Sequence, residues 1–164
     1  MTITIASAAA LVSCGKGADS PDGEFKYLLD QFADIKVMRY RVPGWEDLSL
    51  SQKEYAYHLS EAAKLGRDIT WDQYCRYNLP VRHMLENILE NYKGDRSSQD
   101  YLLFEEYAKR VFFSNGVHHH YAESKFFPAC SKEYFASLME AVGAQDSGLL
   151  DFIYDPQAYP QRRA

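Results

Sequence analysis

A mainly α-helical fold is what this sequence predicts, and three observations predict it. Beyond residue 49 apolar residues recur at every third or fourth position; the segments with that period begin at Ser, Thr or Asn; and most of them stop at Gly. Alternation of period two is confined to a short stretch, so no multi-stranded sheet is expected. With 164 residues, 46% hydrophobic and 25% charged, the chain has the balance of a soluble folded domain with its own core.

Phe25, Leu28, Leu29 and Phe32 recur at helical spacing. Ile35, Val37 and the alternation Met38-Arg39-Tyr40-Arg41-Val42 predict a short extended segment near 35–42, stopped by Pro43-Gly44. Ser49-x-x-Gln52 has the form of a capping box, in which each side chain satisfies a backbone N–H that the first helical turn leaves free. Tyr55, Leu59, Ala62 and Ala63 then form one apolar stripe, and Gly66 stands where a glycine ends a helix. Thr70-x-x-Gln73 repeats the start signal. Pro80 cannot sit inside an uninterrupted helix, so Asn78 is expected to cap a new one carrying Val81, Leu85, Ile88, Leu89 and Tyr92 and ending at Gly94. Ser98 or its neighbour starts the next, with Tyr101, Phe104, Ala108, Val111 and Phe112 on one side and Asn115-Gly116 at its end. Ser131 opens a further helix with Phe135, Leu138, Met139 and Val142, closed by Gly143, and the tail from residue 155 holds Pro156 and Pro160 without a packing pattern.

Ahead of this body, residues 3–12 form an uncharged apolar run of signal-peptide length, too short to span a bilayer. It runs into Leu11-Val12-Ser13-Cys14, which resembles the lipobox of bacterial lipoproteins, where the cysteine is acylated; no Lys or Arg precedes the run. Residues 15–23, rich in Gly, Ser and Asp, have the composition of a flexible tether. The organisation expected is therefore a signal-like segment at 1–14, a tether at 15–24, a helical body at 25–154 and a connecting tail at 155–164, in an exported, envelope-associated protein that meets the membrane only through a lipid on Cys14. An exported protein could pair Cys75 with Cys130, but nothing in the sequence fixes their separation, and two unpaired, partly buried thiols are the simpler expectation.

A net charge of -5 excludes a protein that tracks nucleic-acid phosphates. The 13 Tyr and 9 Phe favour half-wet surfaces such as cleft walls. His118-His119-His120 is the most conspicuous cluster, yet adjacent side chains diverge by about 100° in a helix and alternate faces in a strand, so one ion cannot easily collect all three. The sequence has no His-Glu dipeptide of the kind a catalytic zinc helix carries, so no metal ligand is assigned here and the triplet reads as a polar loop lining a cleft or surface. Gly15-Lys16-Gly17 lacks the flanking strand and helix of a phosphate loop, Ser114 lacks the glycines of a nucleophile elbow, His58 and His83 sit in helical segments, and Glu105-Glu106 read as a solvated face.

Several blocks carry a resemblance: 32–40 (FADIKVMRY), 42–48 (VPGWEDL), 66–69 (GRDI), 91–95 (NYKGD) and, most specific, 109–121 (KRVFFSNGVHHHY). In order and spacing they are similar to the N-terminal part of bacterial dipeptidyl-peptidase III sequences, from about Phe25 to the end of the chain. The resemblance implies a two-lobed zinc metallopeptidase that removes dipeptides from the N-terminus of short peptides. It further implies a zinc held by a His-Glu-x-x-Gly-His helix and a later glutamate, none of which has a counterpart in this sequence. This chain would then supply part of the helical lobe, with no catalytic residue and no metal of its own, and its partners would be short peptides and the zinc-bearing lobe missing from it. By the same resemblance the loop 114–126 faces the inter-lobe cleft. Asn115, Gly116, His120 and Tyr121 are the expected substrate-binding residues, with Tyr121 the aromatic that contacts the peptide, unless Tyr121, Lys125 and Phe126 merely pin the loop to its neighbours. The alternative is a free-standing, non-catalytic lipoprotein that binds peptides or a partner, suggested by Cys14 and the tyrosine content.

Overall fold

Residues 25–158 are described by a computed structural model, and they divide after Pro43 into two units. Cys14 with the signal-like segment, the tether and the end of the tail at 159–164 lie outside the described residues.

The first unit is a hairpin of two antiparallel strands, β1 (Leu28–Phe32) and β2 (Ile35–Met38), with Phe32 opposite Ile35 and Leu28 opposite Met38. Ala33 turns the chain at φ 48°, the left-handed conformation that tight two-residue hairpin loops demand. The helical spacing read over Phe25, Leu28, Leu29 and Phe32 is thus overruled by a strand. A run this short does not separate a period of 3.6 from one of 2, and pairing with β2 satisfies backbone groups that a helix of one or two turns would hold only marginally. Arg39 and Arg41 lay their guanidinium groups over the Phe25 ring at 4.2 and 4.6 Å, and Arg39 Nε donates to the Lys26 carbonyl at 2.6 Å, which fastens the open end of the hairpin.

The second unit is all helical: α1 (Leu50–Leu65), α2 (Arg67–Tyr74), α3 (Asn78–Asn91), α4 (Gln99–Ser114), α5 (Lys132–Ala141) and α6 (Ser147–Tyr154). The mainly α class read from periodicity is the class observed. Three start signals work as expected. Ser49 and Gln52 form both halves of the capping box, and Ser98 and Ser131 accept from the N–H groups of Tyr101 and Tyr134. Two stops are Schellman motifs: Gly143 takes φ +69° after α5, with Ala144 N–H donating to the Met139 carbonyl at 2.9 Å, and Asn115 takes φ 53° after α4, with Gly116 N–H donating to the Val111 carbonyl at 3.0 Å.

Elsewhere the punctuation differs. Gly66 keeps right-handed φ/ψ, so the chain passes almost directly from α1 into α2 and Thr70 lies inside that helix instead of starting it. Asn78 is the first residue of α3 but makes no cap; Pro80 fits because it falls in the first turn, where its missing N–H has no helical partner to lose. That helix stops at Asn91, ahead of Gly94. The helix α6 is additional, capped by Asp146, whose carboxylate accepts from Leu149 N–H at 2.9 Å.

The core lies among α2 to α6. Trp71, Val81, Leu85, Ile88, Phe104, Val111, Phe135, Leu138 and Ile153 are essentially inaccessible, each such side chain contributing about 1.5–3 kcal/mol of hydrophobic stabilisation. Aromatic contacts link the helices: Tyr101 to Phe104 at 5.7 Å, Phe104 to Phe135 at 5.2 Å and Phe135 to Tyr154 at 6.2 Å. Cys75 and Cys130 are buried, unpaired thiols, as the simpler expectation had them. In contrast, α1 buries no residue; its stripe is present but open, with Tyr55 67% and Leu59 52% exposed.

Candidate functional site

The expected substrate-binding residues cluster on the loop that follows α4, and the loop is built from its base upward. Asn78, fully buried at the start of α3, accepts the Val117 N–H on its Oδ1 at 3.2 Å. Its side chain lies against Gly116 so closely that a Cβ there would come within 2.4 Å of the amide nitrogen, which only glycine avoids. From this anchor the chain runs out and back as a narrow loop. Phe126 N–H donates to the Val117 carbonyl and His119 N–H to the Ser124 carbonyl, both at 2.8 Å, and His118 and Lys125 face each other across an isolated bridge.

Two of the three residues that could pin the loop do so. Lys125 Nζ donates to the carbonyls of Phe152 and, at 2.8 Å, Asp155, at the C-terminal end of α6 where a cation is favoured. Phe126 is half-buried against the core with the Arg110 guanidinium 5.6 Å over its ring. Tyr121 is different: it stands at the tip, 88% exposed, its ring 4.1 Å from that of His120. His120 in turn meets Phe113 at 5.6 Å and stacks on His119 at 4.7 Å, so the tip is a continuous aromatic surface. His119 Nδ1 accepts the Tyr121 N–H at 3.2 Å, which leaves the ring proton on Nε2 in the neutral form.

Beside this surface lies a pocket of about 480 Å³ between α2 and the end of α4, lined by Gln73, Tyr74, Ser114, Asn115, Gly116 and the histidine triplet. Asn115, Gly116 and His120 therefore share one site, with Tyr121 on its rim through His120. The triplet does not act as a unit. His118 is 2% exposed and packs edge-on to Tyr74 at 5.7 Å, whereas His120 is exposed. Burial pushes the His118 imidazole below its ordinary value, the nearby Lys125 charge adds to this, and the Ala158 backbone and Glu123 oppose it, so His118 is held neutral. Among the described residues no group of three or more His, Cys, Asp or Glu is placed to hold a metal.

Sequence reading missed Gln73, Tyr74, Ser114, Asn78 and the buried role of His118. In the sequence Asn78 has the position of an ordinary helix cap before Pro80, and no local signal shows that it serves Val117 instead. The remaining candidates are surface groups. His83 lies 3.5 Å from Glu86 on α3, and Glu105 and Glu106 pair with Lys109 and Arg110 at 3.5 and 3.7 Å along α4, the solvated face expected of them. No helix among the described residues is long and apolar enough to cross a membrane. No protein-family model matches the chain, and no curated protein matches it.

Proposed function

We propose that this chain is the N-terminal, cleft-lining portion of an exported zinc-dependent dipeptidyl peptidase of the dipeptidyl-peptidase III type, which releases dipeptides from the N-terminus of short peptides. The observation that carries the reading is the block from Lys109 to Tyr121: it closes α4 and leads into a loop that is clamped at its base by Asn78 and Lys125 and presents Tyr121 beside a pocket. In this role Tyr121 packs its ring on a peptide side chain with the hydroxyl in water, His120 backs it, and the Asn115-Gly116 turn aims the loop. The open stripe on α1 also supports the reading. A helix of 16 residues is marginal alone, and an apolar face left uncovered by its own unit suits packing against the rest of a larger polypeptide.

The described residues of this chain do not fit a zinc site. Zinc and its general base belong, in this reading, to a His-Glu-x-x-Gly-His segment elsewhere in the polypeptide, so the chain by itself is inactive. A lipid on Cys14 would hold the protein at the cell envelope.

Reading the encoding DNA past Ala164 tests this. An open frame that reaches His-Glu-x-x-Gly-His, and zinc-dependent release of dipeptides by the complete product, are expected. A stop codon followed by unrelated sequence, or a complete product without that activity, overturns the proposal and leaves the free-standing peptide-binding lipoprotein, recognised as a stable monomer that binds peptides without cleaving them.

A further inference from the structure

The anchor that holds the loop also holds a reactive dipeptide. Of the four asparagines in the chain, Asn78, Asn87, Asn91 and Asn115, the last alone is followed by glycine; the others precede Leu, Ile and Tyr. A backbone nitrogen can attack the side-chain amide carbon of the asparagine before it and close a five-membered ring. A bulky side chain next to that nitrogen shields it, and Gly116 has none.

The closed fold keeps the two groups apart in three ways. Asn115 takes φ 53° and ψ 37°, which turns the Gly116 nitrogen to the side of Cα away from Cβ, out of reach of the amide carbon. The Gly116 N–H, whose proton must leave before the nitrogen attacks, donates to the Val111 carbonyl at 3.0 Å. Gly116 is also buried against the Asn78 side chain, which accepts the Val117 N–H at 3.2 Å, so the peptide group between 115 and 116 is held from both sides. These constraints are lost together when the end of α4 opens. Asn115 itself is half-buried on the wall of the pocket, within reach of water.

We infer that Asn115 is a deamidation site gated by the loop anchor, stable while Gly116 is seated on Asn78 and converted when the end of α4 comes apart. In the open chain hydroxide takes the Gly116 amide proton, the nitrogen bonds to Asn115 Cγ, and the Cγ–Nδ2 bond breaks to release ammonia. Water then adds to one of the two ring carbonyls and breaks its bond to the ring nitrogen. Addition at the side-chain carbon leaves an aspartate. Addition at the backbone carbon leaves an isoaspartate, whose main chain runs through Cγ and is longer by one carbon. One water enters and one ammonia leaves. Either product puts a carboxylate at the C-terminal end of α4, where the helix dipole disfavours it, and the longer chain cannot rebuild the Schellman register. Conversion therefore records that the loop has opened and removes the pocket wall that Asn115 and Gly116 form. The inference stands on these contacts and not on the peptidase reading.

The test holds the full 164-residue chain in mildly alkaline buffer, folded and in concentrated urea, and follows the tryptic peptide 111–125 by mass spectrometry, with chromatography to separate the two acids. In urea Asn115 should convert faster than Asn87 and Asn91. In the folded chain it should convert at least about tenfold more slowly than in urea, because only the open fraction reacts. Asn78→Ala, which strands the Val117 donor in the closed state, should raise the folded rate about 5- to 150-fold, with the rate in urea as its ceiling. Leu138→Ala, a core change on α5, should leave the folded rate nearly unchanged, because local opening does not need the core to unfold. Should Asn78→Ala fail to fold, the unaltered chain in urea below its unfolding midpoint replaces it, and its rate should rise with urea while far-ultraviolet circular dichroism stays constant. Equal rates in the folded chain and in urea, or conversion in urea no faster at Asn115 than at Asn87 and Asn91, overturn the inference. So does a folded rate that neither Asn78→Ala nor low urea changes, or one that Leu138→Ala raises as much as Asn78→Ala does.

Discussion

Replacing Gly116 by Ala puts the loop anchor under direct strain, and the expected loss can be worked from the contacts. The new Cβ would sit 2.4 Å from Asn78 Nδ2, 2.8 Å from Cγ and 2.9 Å from Oδ1, closer than carbon approaches any of them. Asn78 is fully buried and cannot swing into solvent. Moving it breaks the bond from Val117 N–H, at 3.2 Å, and strands a buried donor, worth about 1–3 kcal/mol. Pressing an extra carbon into a filled interior adds about 1–3 kcal/mol more. Gly116→Ala should therefore cost about 2–6 kcal/mol, read in urea as a midpoint lowered by about 1–3 M. Asn78→Ala should cost about 1–3 kcal/mol through the stranded donor alone. The double variant is the sharper measurement. With the Asn78 side chain removed, the carbon at position 116 has room, so the double variant should be about as stable as Asn78→Ala by itself. If the two single losses add in the double variant to within about 0.5 kcal/mol, the two residues are not in the contact described and the account of the anchor is wrong.

Two further outcomes follow from the same contacts. His118 is held below its ordinary value of 6.5 by burial first and the Lys125 charge second, so as pH falls below 6.5 the unfolded chain takes up a proton that the folded one refuses. Stability should thus be insensitive to this group above 6.5 and decline below it; His118→Phe should flatten that decline in urea midpoints measured from pH 7 down to 5, and an unchanged slope would refute the buried neutral assignment. On α1, Leu59→Ser should change stability by less than about 0.5 kcal/mol, because the side chain is already 52% exposed, whereas Leu85→Ala in the core should cost about 2–5 kcal/mol; a loss above about 1 kcal/mol at Leu59 would mean the stripe is covered after all.

What was legible in the sequence is the part governed by local rules. Ser49, Ser98 and Ser131 cap helices because a short hydroxyl side chain meets a free N–H two or three residues on, wherever the helix sits in the molecule. The stripes of α3, α4 and α5 were readable because period 3.6 over three turns is hard to mimic. The strand β1 was not, since five residues carry too little period to decide, and its partner lies across a turn that only pairing reveals. The stripe on α1 is present as a pattern and left open, because periodicity shows which side of a helix is apolar and not what covers it. The helix α6 is the element that the sequence reading lacks; Asp146 as its cap and the apolar Leu149, Leu150, Phe152 and Ile153 are its signals, with two short turns to show them.

At the pocket, the local rules fail together, and the failures share a cause. Thr70 has the spacing of a helix start and lies inside α2, on the pocket wall. Asn78 has the position of a cap and instead spends its oxygen on Val117, leaving the first turn of α3 without a side-chain cap. His118, in a run that reads as polar loop, is the buried member of its triplet. Each of these residues gives up a local gain of about 0.5–2 kcal/mol, in capping or in solvation, for a contact that shapes residues 114–120. A sequence that folds with little conflict concentrates such concessions where geometry matters more than stability. Their coincidence beside one pocket shows where tertiary contacts outweigh local preference in this unit, and it rests on the bond that Asn78 accepts from Val117 and on the burial of His118.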